Sequence, residues 1–315
     1  MDIANISQSD KEPLKYEELY CSANLTGDNP SIAIAVSVNV LLSITAILGN
    51  TLIFVALNKA SSLHPTSKIL FYNLVTTDLL VGLVSQPMII IYWMSLINEA
   101  RDFCRGVFVL HAVSSYVLCG MSLLITTSIS VDRLLALSLE LRYHQVVTKR
   151  RTCVLLTTLW AISIVFSTLF VKNNQLSMTY THVITFLCLT ISTISYNTIF
   201  VKLRLRRNQV EVFEGSESNC ESQSSQLRIT RYKKALSSAL WLQITLIICY
   251  TPYGVLLLLA PNESAISVTV VLSGRITKTL VFLNSSLNPI LYCWKLREIR
   301  QVVKSTTQKL LYMCW

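Results

Sequence analysis

Residues 67–94, SKILFYNLVTTDLLVGLVSQPMIIIYWM, decide the fold. The stretch is apolar almost throughout and long enough to cross a hydrocarbon core of about 30 Å as a helix, yet Asp78 sits near its middle. A lone carboxylate at that depth is costly unless it faces other protein and finds polar partners there. The segment therefore predicts a membrane-spanning helix with one face turned to an interior, and it requires further spans to build that interior. Working outward, the spans fall at 31–57, 67–94, 104–137, 152–171, 180–206, 231–260 and 266–292. The fold class is all-α, an integral membrane bundle of seven transmembrane helices. Residues 1–30 read as an N-terminal tail, 31–292 as the bundle, and 293–315 as a surface helix with a short tail. From Trp294 to about Lys304 apolar residues alternate with Lys295, Arg297, Arg300 and Lys304, too short and too charged to span and suited to lying on the lipid surface.

Composition agrees. The chain is 52% hydrophobic and 14% charged, against roughly 25% charged for soluble domains. A net charge of +10 would suit nucleic acid if it formed one patch, but the basic residues gather in the loops of one side. With the N-terminus outside, only Lys11, Lys15, Arg101, Arg105, Lys172, Arg275 and Lys278 fall on the outer side, and all other basic residues fall inside. That asymmetry predicts a multi-pass protein of the cell membrane with an extracellular N-terminus and a cytoplasmic C-terminus, in contact with lipid and not with nucleic acid. Residues 1–30 lack the basic cluster and apolar core of a signal peptide, so the first span is expected to act as the signal. On this topology Asn5 and Asn24 are glycosylation acceptors, and Cys293 and Cys314 are possible palmitoylation sites, or simply unmodified thiols. The stretch 211–226, acidic and Ser-rich, reads as a mobile loop. No Gly-rich nucleotide fingerprint and no Cys or His spacing for zinc is present, and no enzymatic activity is expected.

Other polar residues lie at depths compatible with Asp78: Asn50, Ser122, Asn284, Ser285 and Asn288. A carboxylate among hydroxyl and amide oxygens suits a small hard cation such as sodium better than a soft metal; the alternative is a hydrogen-bonded or protonated carboxyl that only holds helices together. Asp132-Arg133 ends the third span, either as a functional pair or as an ordinary helix-end pair with the arginine snorkelling to the headgroups. Asn288-Pro289 precedes Tyr292 near the end of the seventh span; the proline kinks the helix and the asparagine can bond to groups the kink frees. Pro252 and Pro87 mark kinks in the sixth and second spans.

Together these residues resemble the signature set of rhodopsin-like G protein-coupled receptors, from Gly49 to Lys304. The set comprises Gly49-Asn50, Leu74-Val75-Thr76-Thr77-Asp78, Asp132-Arg133-Leu134, Trp160, Tyr196, Cys249-Tyr250-Thr251-Pro252-Tyr253 and Asn288-Pro289-Ile290-Leu291-Tyr292. The resemblance implies a receptor that transduces an extracellular signal to a heterotrimeric G protein by outward movement of the sixth helix, with Asp132, Arg133, Tyr196, Pro252, Asn288, Pro289 and Tyr292 in coupling and activation.

Departures narrow the reading. The third-span cysteine of the family's usual outer disulfide is replaced by Phe108, and the loop from about Val171 to Tyr180 holds no cysteine; a pairing of Cys104 with Cys21 is permitted. The family's fifth-span proline is replaced by Cys188. These losses, with Leu141 to Arg151, resemble the group of melanocortin, adenosine and cannabinoid receptors. Tyr250 stands where most members have tryptophan, and its hydroxyl needs a partner. Tyr232 occupies the place of an acid that pairs with the third-span arginine, which would leave Arg133 with Asp132 alone.

Ser115 replaces the aspartate of amine receptors and Phe282 the retinal-bearing lysine of opsins, so neither a biogenic amine nor retinal is expected as the ligand. His111, Ser115, Tyr116, Cys119, Tyr250, Tyr253, Arg275 and Lys278 remain as pocket residues. Arg275 and Lys278 share one helical face and either meet an anionic ligand group or lie at the lipid headgroups, while acidic Glu12, Glu17 and Glu18 could equally meet a basic peptide. No repeated half with interrupted spans suggests a transporter, and no selectivity element suggests a channel. A non-signalling seven-helix scaffold that pairs with other receptors is the alternative.

Overall fold

The computed structural model describes residues 20–21, 29–59, 64–214, 241, 243–256, 258–259, 268–295, 300–305 and 308. The described residues are almost all helical, with no strand among them. The main helices are α1 (Asn29–Lys59), α2 (Pro65–Ile97), α3 (Arg101–Leu139), α4 (Lys149–Thr168), α5 (Asn174–Glu214), α6 (Gln243–Leu256) and α7 (Val268–Lys295). Of these, α1 to α5 are long and apolar enough to cross a membrane. In the most apolar windows of α2 and α3 half the residues are buried, against 22% in α1 and α4, so α2 and α3 form the interior and α1 and α4 the rim. Exposed Leu41, Leu48, Leu155, Phe186 and Ile194 lie in α1, α4 and α5, where lipid is the solvent that an apolar side chain suits.

Local chemistry sets the ends. Pro65 opens α2 behind an extended His64, because the residue before a proline is turned away from the helical conformation. α5 begins earlier than expected: Asn173 accepts the Leu176 N–H at 3.0 Å as a cap, so only Lys172 and Asn173 separate it from the 3-10 turn Leu169–Val171 that closes α4. α5 also runs on to Glu214, into the stretch expected to be a loop; Val210 to Glu214 contain no breaker before Gly215. With Cys188 in place of a proline, α5 is unbroken.

The expected Pro87 kink takes a specific form. Residues Val81–Ser85 make a π turn in which the Gln86 N–H reaches the Val81 carbonyl. In that register the Gly82 carbonyl would face Pro87, which has no N–H; Ser43 of α1 donates to it instead, at 2.8 Å. Gly82 also lets α1 approach, since a Cβ there would sit 3.1 Å from the Ala46 methyl. Likewise a Cβ on Gly49 would come within 2.9 Å of the Pro289 ring, where α1 meets α7. Residues 300–305 are helical, with Val302 and Val303 turned to the bundle and Arg300 and Lys304 exposed, as an amphipathic surface helix requires.

Asn5, Asn24, Tyr232, Cys314 and most of the 211–226 stretch lie outside the described residues. Cys293 is a half-buried free thiol.

Candidate functional site

A cavity of about 410 Å³ opens among α2, α3, α5, α6 and α7 toward the Cys104 end, within the usual size of small-molecule sites. All eight pocket residues named from sequence line it: His111, Ser115, Tyr116, Cys119, Tyr250, Tyr253, Arg275 and Lys278. His111, Ser115 and Cys119 recur every four residues, which places them on one face of α3. The Ser115 hydroxyl lies 3.1 Å from His111 Nδ1, and the His111 ring lies parallel to Tyr92 and edge-on to Phe282, both at 6.3 Å between centroids. Tyr250 finds the partner its hydroxyl needs: it donates to the Cys119 carbonyl at 3.0 Å, tying α6 to α3. Arg275, buried, donates to the Ser31 hydroxyl at 3.1 Å. Both cations line the cavity.

Sequence reasoning missed part of the lining. Cys21 and Cys104 form a disulfide across 83 residues of chain, the pairing the sequence left open. It carries Tyr20 onto the cavity, stacked on Phe108 at 5.4 Å and donated to at its carbonyl by Tyr92. Only the isolated Cys21 beside Tyr20 could have signalled this.

Below the cavity lies Asp78, fully buried. Ser122 and Ser285 donate to its Oδ1, each at 2.8 Å, and Asn288 donates to Oδ2 at 2.7 Å. The Asn288 amide thus reaches across to α2. Asn50 donates to the Ser285 carbonyl at 3.1 Å. Two buried atoms of this region, Asn50 Oδ1 and Asn284 Nδ2, have no partner among the described residues. The cluster joins α1, α2, α3 and α7, and a carboxylate with hydroxyl and amide oxygens around it can hold a proton, water or a hard cation.

At the far end, Asp132 is buried and holds more than its neighbour. Ser67 donates to it at 2.9 Å and Tyr143 at 2.6 Å, while Arg133 stands 3.7 Å away. Arg133 also lies 6.0 Å over the Phe71 ring. Tyr143 continues to Thr66 at 3.3 Å, Thr66 to His64 at 2.6 Å, and His64 to His144 at 3.0 Å. Burial, then the bond to Asp132, pushes the Tyr143 hydroxyl above its ordinary range, so it stays a donor. Burial, then the neighbouring His144, lowers His64 below its usual 6.5. Tyr196 is buried with Leu137, Ile199 and Leu203, and Tyr292 packs edge-on to Phe71 at 5.5 Å with no partner for its hydroxyl among the described residues. Pro252 sits half-buried in α6, and Pro289 lies inside α7.

The family described as 7 transmembrane receptor (rhodopsin family) matches residues 49–177 and 170–292, nearly all of the bundle. The chain belongs to this family. The receptor is 22% identical to melanocortin receptor 4 of Danio rerio over 92% of this chain and 87% of that protein. It is 27% identical to the histamine H2 receptor of Rattus norvegicus, over 86% and 79% of the two chains, and 28% identical to D(2) dopamine receptor A of Xenopus laevis, over 56% and 42%. These relatives are receptors, not enzymes. They carry the names of melanocortin, histamine and dopamine, so they distinguish no subgroup. Asp78, Asp132-Arg133, Pro252, Asn288-Pro289 and Tyr292 of the receptor all fall inside the matched segments.

Proposed function

We propose that the receptor transduces an extracellular ligand's signal to a heterotrimeric G protein, with the cavity as ligand site and Arg133, Tyr196 and Tyr292 around the coupling surface. The observation that carries this reading is the joined arrangement along the bundle. A lined cavity lies at one end, Arg133 lies at the other, and the Asp78 cluster between them ties α2, α3 and α7. Outward movement of α6 is the activating step; Tyr250, bonded to Cys119, holds α6 at its cavity end. The distribution of basic residues supports a cell-membrane orientation with the N-terminus extracellular and the C-terminus cytoplasmic. The finer placement we favour is the melanocortin, adenosine and cannabinoid-like group, on the strength of Cys188 and Leu141 to Arg151. Ser115, engaged with His111, and Phe282 speak against a biogenic amine and retinal as ligands. Arg133→Ala should abolish nucleotide exchange on purified heterotrimer while surface expression and ligand binding persist. Unchanged exchange would overturn the mechanism, and exchange absent from the unaltered chain across a ligand library would favour the scaffold.

We propose further that Asp78 with Ser122, Ser285, Asn284 and Asn288 holds a sodium ion that favours the inactive bundle. The unpartnered acceptor Asn50 Oδ1 and the lone pairs of two hydroxyls already turned to the carboxylate fit such an ion. If sodium prefers the inactive state, agonist affinity falls as sodium rises, and agonist weakens sodium equally. Agonist affinity in sodium chloride against choline chloride at equal ionic strength, in the unaltered receptor and in Asp78→Asn, separates site binding from screening. A sodium effect that survives in Asp78→Asn, or that the unaltered receptor lacks, leaves Asp78 as a structural or protonated group.

A further inference from the structure

We infer that the cavity takes an organic anion with an apolar body, whose charged group is held by Lys278 beside Arg275. The inference rests on the reading of this cavity as the ligand site and supplies the class of ligand. Among its described lining residues, Arg275 and Lys278 are the charged side chains, and none is an aspartate or glutamate. Lys278 is half-buried, lines the cavity, and has neither hydrogen bond nor ion pair with any described residue. Arg275 stands one turn away on the same cavity wall and carries the same sign of charge. An ammonium taken from bulk water with no counter-charge is costly, and an anion placed against it relieves that cost and adds a charge-assisted hydrogen bond. A cationic amine or basic peptide would instead meet Lys278 with its own sign of charge.

The rest of the wall sets the body of the ligand. Trp93, Phe108, Tyr116 and Phe282 present rings, and apolar surface predominates, as in sites that bury most of a small ligand. His182 Nε2, on α5, is buried without a partner among the described residues and can meet a second polar group. Carboxylate, sulfonate and phosphate share the required chemistry, and the anion comes either from solution or from a lipid headgroup.

The test uses the full-length receptor in nanodiscs of zwitterionic lipid, with pyrenebutyrate as probe and pyrenebutanol as its uncharged match. Trp93 lines the cavity, so binding is read as saturable energy transfer to pyrene that Trp93→Phe diminishes. The acid should bind at least about tenfold more tightly than the alcohol. Lys278→Met should erase that preference and Lys278→Arg should retain it, each with an unchanged thermal unfolding midpoint as the check on folding. Competition by phosphatidylglycerol added to the disc supports the anion site and assigns its occupant to the bilayer. Equal binding of alcohol and acid, an acid preference intact in Lys278→Met, or no saturable binding of the acid overturns the inference. No G protein is present, so a chain that binds the acid but fails to drive exchange keeps this inference and loses the receptor mechanism, and the reverse result loses only this inference.

Discussion

Position 250 shows how one side chain can tie two helices together. Where the family usually has tryptophan, Tyr250 fills the place with a ring and also ties α6 to the Cys119 carbonyl at 3.0 Å. A buried neutral hydrogen bond contributes about 0.5–1.5 kcal/mol. If moving α6 breaks it, Tyr250→Phe should raise ligand-free nucleotide exchange by roughly two- to tenfold, and unchanged basal exchange at normal expression would remove Tyr250 from the resting-state restraints. Other residues differ in how legible they were. The partners of Asp78 could be read because Ser122, Ser285 and Asn288 lie at matching depth in predicted spans, and depth is what hydropathy reports. The partners of Asp132 could not: Ser67 and Tyr143 reach it from a helix start and a connecting turn, where no periodicity shows which way a side chain points. Asp132-Arg133 therefore read as a simple pair, although the carboxylate's shorter contacts are with the two hydroxyls.

Among elements, α2 is governed by its interruptions. The π turn at Val81–Ser85 exists beside a proline that supplies no N–H, and Ser43 from α1 accepts the consequence by donating to Gly82. Removing that hydroxyl should cost about 1–3 kcal/mol, the penalty of an unsatisfied buried carbonyl. In a Pro87→Ala background, where an N–H returns, Ser43→Ala should cost less. Thermal unfolding of the four variants of this cycle checks both statements, and additive losses would show that the two positions are independent. At the other end of α2, His64 is held in its neutral form by burial, by His144 and by Arg133, against the opposing pull of Asp132. Its folded value lies below the unfolded 6.5, so its contribution is complete above pH 6.5 and declines as acidification protonates the unfolded chain first. The unfolding midpoint should therefore fall more between pH 7 and 5.5 in the unaltered receptor than in His64→Gln; equal falls would assign the acid sensitivity to another group. The start of α5 was misjudged because a single capping asparagine outweighed the polar composition of the residues after it.

For the molecule as a whole, hydropathy and a few misplaced polar residues sufficed for the architecture, because a bilayer admits few solutions for backbone hydrogen bonding. They did not suffice for the mouth of the cavity, which depends on a covalent tie between distant parts of the chain. That tie runs from the N-terminal segment to α3, while α4 and α5 are joined by a link of two residues beyond a 3-10 turn. The entrance is thus framed by the beginning of the chain, with Tyr20 as its jamb. A protease that nicked the backbone between Cys21 and Asn29 would sever the amino terminus from α1 yet leave it moored to α3 through sulfur, so the doorway would outlast the cut until a reductant released it.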